Sequence, residues 1–325
     1  MADPMTLVSS FDPHARGSSP PQLTMQSVAS GPRSIVSPGY QFGRYRVDRS
    51  LGSGGMAAVY LCHDPVLGRM VAVKAATGQN SDVNSGLRFL REAEVLARLQ
   101  HPHVVSVFDV GMQGQTAYIV MEYVEGYDLR TLLELRKRLT VPMVLTLMMP
   151  LFSAIGYAHR RNVLHLDLKP SNVLLSTDHL GQPFPKVLDF GVCVLSDVDS
   201  ELDPTRNEFA GTPAYSAPEA IRRRELTDKT DQFALGVMLF EMLSGVNPFS
   251  QCSTLTETLM VMEQRRYPRL SSLTPNLSVE VADVIARALD PKPEARHASV
   301  DELARALAGA CGKPELALME LPASR

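Results

Sequence analysis

The sequence has no tryptophan, only four cysteines and no marked excess of either charge. Cys62, Cys193, Cys252 and Cys311 stand far apart and form no metal-ligand spacing, which excludes a zinc ribbon or a dense disulfide framework. Reduced thiols of a cytoplasmic protein are the expected state. A net charge of −3 over 325 residues, with a pI of about 6.3, gives no electrostatic case for nucleic acid or an anionic membrane surface. The N-terminus, Met1-Ala2-Asp3-Pro4-Met5, carries an acid where a secretory leader carries bases, and no apolar core follows, so no secretory signal is expected. The uncharged run from Val141 to Ala158 is close to the spanning minimum of roughly 18 apolar residues. It contains Pro142, Thr146, Pro150 and Ser153 and leads directly into His159-Arg160-Arg161, so it reads as a buried core helix and not as a membrane span.

What is present is a hydrophobic content of 45%, enough for one large core or two modest ones. Residues 1–43 are rich in Ser, Pro and Gly, as in Gly17-Ser18-Ser19-Pro20-Pro21, and are expected to be a disordered tail. From Tyr45 the pattern alternates like a strand, glycines interrupt it, and Val59-Tyr60-Leu61-Cys62 resumes it. Met70 to Lys74, Val104 to Val110 and Ala117 to Tyr123 read as further strands, and Leu87 to Gln100 has helical periodicity. Beyond Gly126 the pattern is mainly helical, at 128–138, 144–160, 229–243, 255–265 and 279–289. A strand-rich part followed by a helix-rich part predicts an α+β protein with segregated layers and a ligand cleft at their junction.

The chemistry concentrates in two short runs. His165-Leu166-Asp167-Leu168-Lys169-Pro170-Ser171-Asn172 sets a carboxylate, a cation and a carboxamide at fixed offsets, and Asp189-Phe190-Gly191 adds a second carboxylate beside a glycine. Phosphoryl transfer from a nucleotide needs that inventory: a group to orient a hydroxyl, a cation for the moving phosphate and oxygen ligands for magnesium. Leu51-Gly52-Ser53-Gly54-Gly55, between two strands, lets the backbone approach phosphate oxygens, although a plain turn between strands also wants glycine. Lys74 ends the next strand, Val71-Ala72-Val73-Lys74.

These motifs together resemble the eukaryotic-type (Hanks-type) Ser/Thr protein kinases, most closely bacterial members, over about residues 45–310. The resemblance implies a two-lobed fold: a small β-rich N-lobe over 44–121, a hinge at 122–126, a helical C-lobe over 127–310 and a C-terminal tail over 311–325. It implies ATP and Mg2+ (or Mn2+) as cofactors. Leu51, Gly52, Ser53, Gly54 and Gly55 would cover the phosphates, and Lys74 would bind them, held by Glu92. Val59, Ala72 and Leu174 would wall the adenine, with Met121 behind backbone groups of Glu122 and Val124, and Asp128 would meet the ribose. Asp167 would orient the acceptor hydroxyl and Lys169 would neutralise the transferring phosphoryl group. Asn172 and Asp189 would ligate metal, and Thr212 would bond to Asp167 and Lys169. Gly211 to Glu219 resembles the family's substrate-positioning loop, with Glu219 paired to Arg296. That segment and Lys169 imply protein substrates with Ser/Thr acceptors, and regulatory protein partners are expected. Asp231 and Gly236 match the helix that anchors the catalytic loop, with Phe233 where tryptophan is usual.

Two departures stand out. Ala57 replaces the third glycine of the phosphate loop, a small-for-small change. Leu166 replaces the arginine that usually precedes the catalytic aspartate and that docks a phosphorylated loop residue. Activity without obligatory activation-segment phosphorylation is therefore expected, with Ser196, Ser200 and Thr205 as the available acceptors. The rival readings are a nucleotide-binding pseudokinase acting as a regulatory module and a small-molecule phosphotransferase. Ser171 sits where an acid often accompanies preference for basic substrates, which argues against strong basophilic selectivity.

Overall fold

The computed structural model describes residues 36–54, 57–76, 93–94, 96–190 and 212–318. The chain divides into two compact units, Met1–Glu125 and Gly126–Arg325.

In the first unit, strands β1 (Gln41–Phe42), β2 (Tyr45–Ser53), β3 (Ala57–Asp64), β4 (Arg69–Ala76), β5 (Val107–Gln113) and β6 (Thr116–Glu122) form one sheet in the order β1-β2-β3-β4-β6-β5. Alternation decides which face each side chain takes, since successive residues of a strand point to opposite faces. Ala58, Tyr60, Cys62, Val71, Val73, Ala75, Tyr118 and Val120 share one apolar cluster with Phe42, Tyr45 and Val47. Each fully buried valine there contributes about 1.5–3 kcal/mol of gross burial energy. The antiparallel register pairs Val59 with Lys74, Leu61 with Ala72, Lys74 with Ile119 and Ala72 with Met121. Those residues therefore occupy the other face together. Asp64 closes the β3–β4 turn by accepting from the N–H groups of Val66 (3.0 Å) and Leu67 (3.3 Å).

Two boundaries differ from the sequence reading. Part of the expected tail is structured: Phe42 is buried in the cluster, Val36 packs against it, and Gly39 N–H donates to Val47 O (2.8 Å). The aromatic ring of Phe42 supplies the apolar area that the Ser/Pro-rich residues lack. The strand expected at Val104 to Val110 runs instead from Val107 to Gln113, with Val104 and Val105 buried ahead of it. Of the expected helix at Leu87 to Gln100, positions 93–94 and 96–98 are helical and the rest of its first part lies outside the described residues.

The second unit opens with a small sheet of β7 (Tyr127–Asp128), β8 (Val173–Thr177) and β9 (Pro183–Val187). Gly126 precedes it at φ +151, and a Cβ there would lie 2.0 Å from Leu175 O, so only glycine fits. The helices are α1 (Leu129–Arg136), α2 (Val141–His159), α3 (Pro218–Ile221), α4 (Asp228–Ser244), α5 (Leu255–Glu263), α6 (Leu270–Leu273), α7 (Val279–Ala288) and α8 (Val300–Ala310). Helix α2 starts three residues earlier than the apolar pattern, because Thr140 caps it and Pro142 suits its first turn. It is the one described helix long and apolar enough to cross a membrane by length and composition, and 56% of that window is buried inside the protein. Helix α4 is buried from Thr230 to Ser244 and so is apolar on nearly every side, as a central helix must be. Gly236 lets α7 approach: a Cβ there would meet Ala288 Cβ at 3.0 Å. Helix α8 ends at Ala310, where the domain was expected to end, and the short 3-10 helix Pro314–Leu318 continues the structured chain past it.

Candidate active site

The catalytic loop is fixed from below by one buried carboxylate. Asp231, in the first turn of α4, accepts from His165 N–H (2.8 Å), Leu166 N–H (2.8 Å) and the His159 ring (2.8 Å). Burial alone pushes this carboxyl up, but the His159 hydrogen bond and charge and the His165 N–H outweigh it, holding Asp231 below the usual carboxylate range. Taking two consecutive amides on one carboxylate bends the loop sharply, and Leu166 adopts φ +62, a conformation that favours glycine. The loop is therefore anchored through the backbone of residue 166, whatever its side chain.

His165 ties this loop to the Asp-Phe-Gly run. Its Nδ1 accepts from Asp167 N–H (3.3 Å), so its Nε2 carries the proton given to Leu188 O (2.9 Å). Complete burial lowers its pKa, in keeping with that neutral tautomer. Its ring lies 4.7 Å from the fully buried Phe190. Leu188 N–H donates to Asn172 O (2.9 Å), so the β8–β9 pairing brings Asn172 and Asp189 to neighbouring positions.

Above the loop, Lys169 Nζ donates to Asp167 Oδ2 (2.7 Å) and to Thr212 Oγ1 (3.1 Å). Asn172 Nδ2 donates to Asp167 O (2.8 Å) and Oδ2 (3.1 Å). Of the two bonds expected of Thr212, only that to Lys169 forms; the ammonium stands between Thr212 and Asp167 because a cation satisfies both oxygens. With the Asn172 amide nitrogen turned to Asp167, its carbonyl oxygen is presented to the other side. A side-chain carbonyl and the Asp189 carboxylate are oxygen donors of the kind a hard divalent cation takes, and two protein ligands suffice when phosphates and waters complete the shell. Among the described residues no group of three or more His, Cys, Asp and Glu is placed to hold a metal.

The loop from Thr212 to Glu219 is held at several points. Arg296 meets Glu219 through two parallel bonds (2.7 and 2.9 Å), with both side chains buried, and its remaining donors reach Lys229 O (2.7 Å) and Asp290 O (2.8 Å). Phe233 lies under the guanidinium, 5.0 Å from it. Tyr215 donates to Glu241 Oε2 (2.5 Å) and also meets Arg130, which pairs with Glu241 (2.8 Å). Burial, with the Glu241 charge, pushes the Tyr215 phenol well above its ordinary range. The Arg130–Glu241–Tyr215 group and the three-way role of Asp231 were not anticipated; the partners are 111 and 66 residues apart, and no local pattern marks them.

In the first unit, Val59, Ala72, Lys74 and Met121 lie on one face of the sheet by register. Leu51, Gly52 and Ser53 end β2, and Gly54 N–H donates to Ala57 O (2.8 Å). Glu122 N–H donates to Ser106 O (2.9 Å), so an adenine contact by Glu122 has to use its carbonyl. Val124 follows β6, Leu174 lies in β8, and Asp128 caps α1, its Oδ1 accepting from Thr131 N–H (2.8 Å) and hydroxyl (2.7 Å). The signal for that cap was present as Asp128-x-x-Thr131 before an apolar run. Gly55, Glu92, Gly191, Ser196, Ser200, Thr205 and Gly211 lie outside the described residues.

A paired lysine and aspartate, a carboxamide on the same loop and an anchored loop from Thr212 to Glu219 form the constellation that the protein kinase resemblance predicts. The protein kinase domain model matches residues 45–306, and the chain belongs to that family. It is 36% identical over 262 residues to the serine/threonine-protein kinase PrkC of Bacillus subtilis, covering 80% of this chain and 39% of that one. It is 34% identical to PknF of Mycobacterium tuberculosis, covering 85% of this chain and 59% of the relative. The chain thus spans well under two thirds of the length of these curated relatives. The crystal structure of the Mycobacterium tuberculosis PknI kinase domain superposes with a TM-score of 0.68 at 30% identity, covering 85% of this chain and all (100%) of that one.

Proposed function

We propose that the chain is an ATP-dependent serine/threonine protein kinase that transfers the γ-phosphate to Ser/Thr hydroxyls of protein substrates. The observation that carries this reading is the Asp167–Lys169–Thr212 group on a loop held by Asp231. Lys169 and Asn172 both donate to Asp167 Oδ2, which turns Oδ1 toward an incoming hydroxyl and its proton. Lys169 is then in place for the charge on the transferring group. Lys74 would hold the phosphates from the β-rich unit, with Glu92 as its partner, and the carbonyl of Glu122 with groups of Val124 would take the adenine edge. Asn172 and Asp189 would hold magnesium, or manganese, which when bound screens the phosphate charge.

Leu166 supports independence from activation-segment phosphorylation: it removes the unpaired cation, while its backbone keeps the bond to Asp231. The same residue motivates the pseudokinase reading; the Lys169 and Asn172 bonds to Asp167 support the active one. A cytoplasmic location fits the unbridged Cys62, Cys252 and Cys311. Regulatory protein partners would supply the input signal.

Magnesium-dependent turnover of ATP on a protein substrate tests the reading. Asp167→Ala is expected to lower kcat at least about 100-fold, the scale of a lost general base, with nucleotide affinity kept. ATP binding without turnover in the unmodified chain identifies a pseudokinase. Turnover on small alcohols but not on protein identifies the other rival.

A further inference from the structure

Directly beyond the substrate loop, the chain reads Arg222-Arg223-Arg224, and all three side chains are exposed. An ion pair from Arg222 to Glu263 (2.5 Å) ties this stretch to the end of helix α5, where Arg265 and Arg266 follow, with Arg269 a turn later, all exposed. Six arginines thus fall in two stretches, 222–224 and 265–269, that the Arg222–Glu263 pair joins, in a chain whose overall charge is −3. Glu263 is taken by Arg222, and Asp290 by Arg265. The side chains of Arg224 and Arg266 have no ion pair among the described residues.

The backbone sets how these side chains stand. Arg223 and Arg265 sit at φ +54 and +51, each just past the end of a helix. Glycine is the ordinary occupant of that conformation, because a Cβ costs about 1 kcal/mol or more there. The other such residues include Leu166 and Asp189, both in the active site. Lys137 and Asn162 take the same conformation past the ends of α1 and α2, so here it closes helices and leaves the arginine side chains directed outward as exposed charge.

We infer that this arginine surface is a docking site for acidic segments of protein substrates. Arg222 N–H and Arg224 N–H bond back to Pro218 O and Glu219 O (both 2.9 Å), so the surface is continuous with the loop that carries Thr212. A substrate whose Ser or Thr lies near Asp and Glu residues is drawn to the mouth of the site before its hydroxyl meets Asp167. The absence of an acid at Ser171, beside the catalytic loop, removes a competing attraction for basic substrates. This inference rests on the kinase reading, and its test separates the two.

Three peptides carrying one serine, flanked by Asp/Glu, by neutral residues or by Lys, are assayed with the full chain and with an Arg224→Glu/Arg266→Glu variant. Neither substituted residue belongs to the catalytic groups, and their structural bonds run through backbone N–H groups that the substitutions keep. The unmodified chain is expected to prefer the acidic peptide through KM, with the preference shrinking at high salt as screening sets in. The variant is expected to raise KM for the acidic peptide about tenfold, lower it for the Lys peptide, and leave the neutral peptide and every kcat within about twofold. Equal KM for all three peptides in the unmodified chain overturns the docking site and leaves the kinase standing. So does an unchanged acidic-peptide KM in the variant. If no peptide is turned over, the kinase reading fails. Docking is then read separately by fluorescence anisotropy of a Ser→Ala acidic peptide, whose binding must weaken about tenfold in the variant; equal binding overturns it.

Discussion

The β-rich unit and the helical unit solve the placing of reactive groups in different ways. In the first, strand register does it: pairing Val59 with Lys74 and Ala72 with Met121 sorts the residues proposed to face a nucleotide from an apolar cluster. Among the described residues its buried polar ones are Asp64 and His101, whereas the helical unit buries twelve. These include His165, Asn172, Glu219, Asp231, Glu241 and Arg296, and several bond directly to the catalytic or acceptor loop. Where position is set by register, apolar packing is enough. Where it is set on irregular loops, hydrogen-bonded charges must hold each turn, and each becomes costly to remove.

The contrast is broken most severely by emptying one side of the buried pair. Arg296→Ala leaves Glu219 charged, buried and short of two donors, and is expected to cost about 3–5 kcal/mol. Val73→Ala, at an equally buried site in the β cluster, is expected to cost about 2 kcal/mol. Hydrogen exchange resolved by peptide reads the two units separately; comparable losses would erase the distinction.

Acid sharpens it next. Burial holds the His165 and His297 imidazoles below their ordinary range, so both fold neutral. Their stabilising effect is complete above the unfolded histidine pKa of about 6.5 and is lost as pH falls below it. In the β unit the depressed group is the Asp64 carboxyl, where burial is outweighed by the Val66 and Leu67 N–H groups and Arg44. That contribution persists until pH falls through the carboxylate range, below about 4. Amides of α4 and the catalytic loop are therefore expected to lose protection between about pH 6.5 and 4.5, before those of β3 and β4. Simultaneous loss would contradict the assignment.

The smallest effect is expected at the acceptors. Replacing Ser196, Ser200 and Thr205 together with alanine is expected to lower turnover by less than about threefold, since Leu166 offers no phosphate dock. A hundredfold loss would show that this chain depends on the phosphorylation that its loop sequence argues against.

The catalytic groups were legible because phosphoryl transfer confines them to short contiguous runs. Asp167, Lys169 and Asn172 fall within six residues, and the strand pattern around Lys74 follows from period-two alternation. The α+β division was legible for the same reason, as a change of period near Gly126. What supports these groups was much less so. Asp231 was readable as an anchor only through the family likeness, and its engagement of two successive amides was not readable at all. The Arg130–Glu241–Tyr215 group joins residues that only the tertiary fold makes neighbours. Thr212 was assigned to both Asp167 and Lys169, and geometry gave it to the lysine alone. The edges of elements shifted where caps, such as Thr140 with Pro142, or single buried aromatics, such as Phe42, outweighed composition.

The pairing of Glu219 with Arg296 spans 77 residues of sequence, and it sets an order of events during synthesis. A nascent chain acquires every catalytic group well before the ribosome adds the arginine that completes the acceptor loop. Until then Glu219 has no guanidinium to receive it, and the loop lacks that anchor. The stretch from Thr212 to Glu219 thus reaches the arrangement described here only once residue 296 has been synthesised.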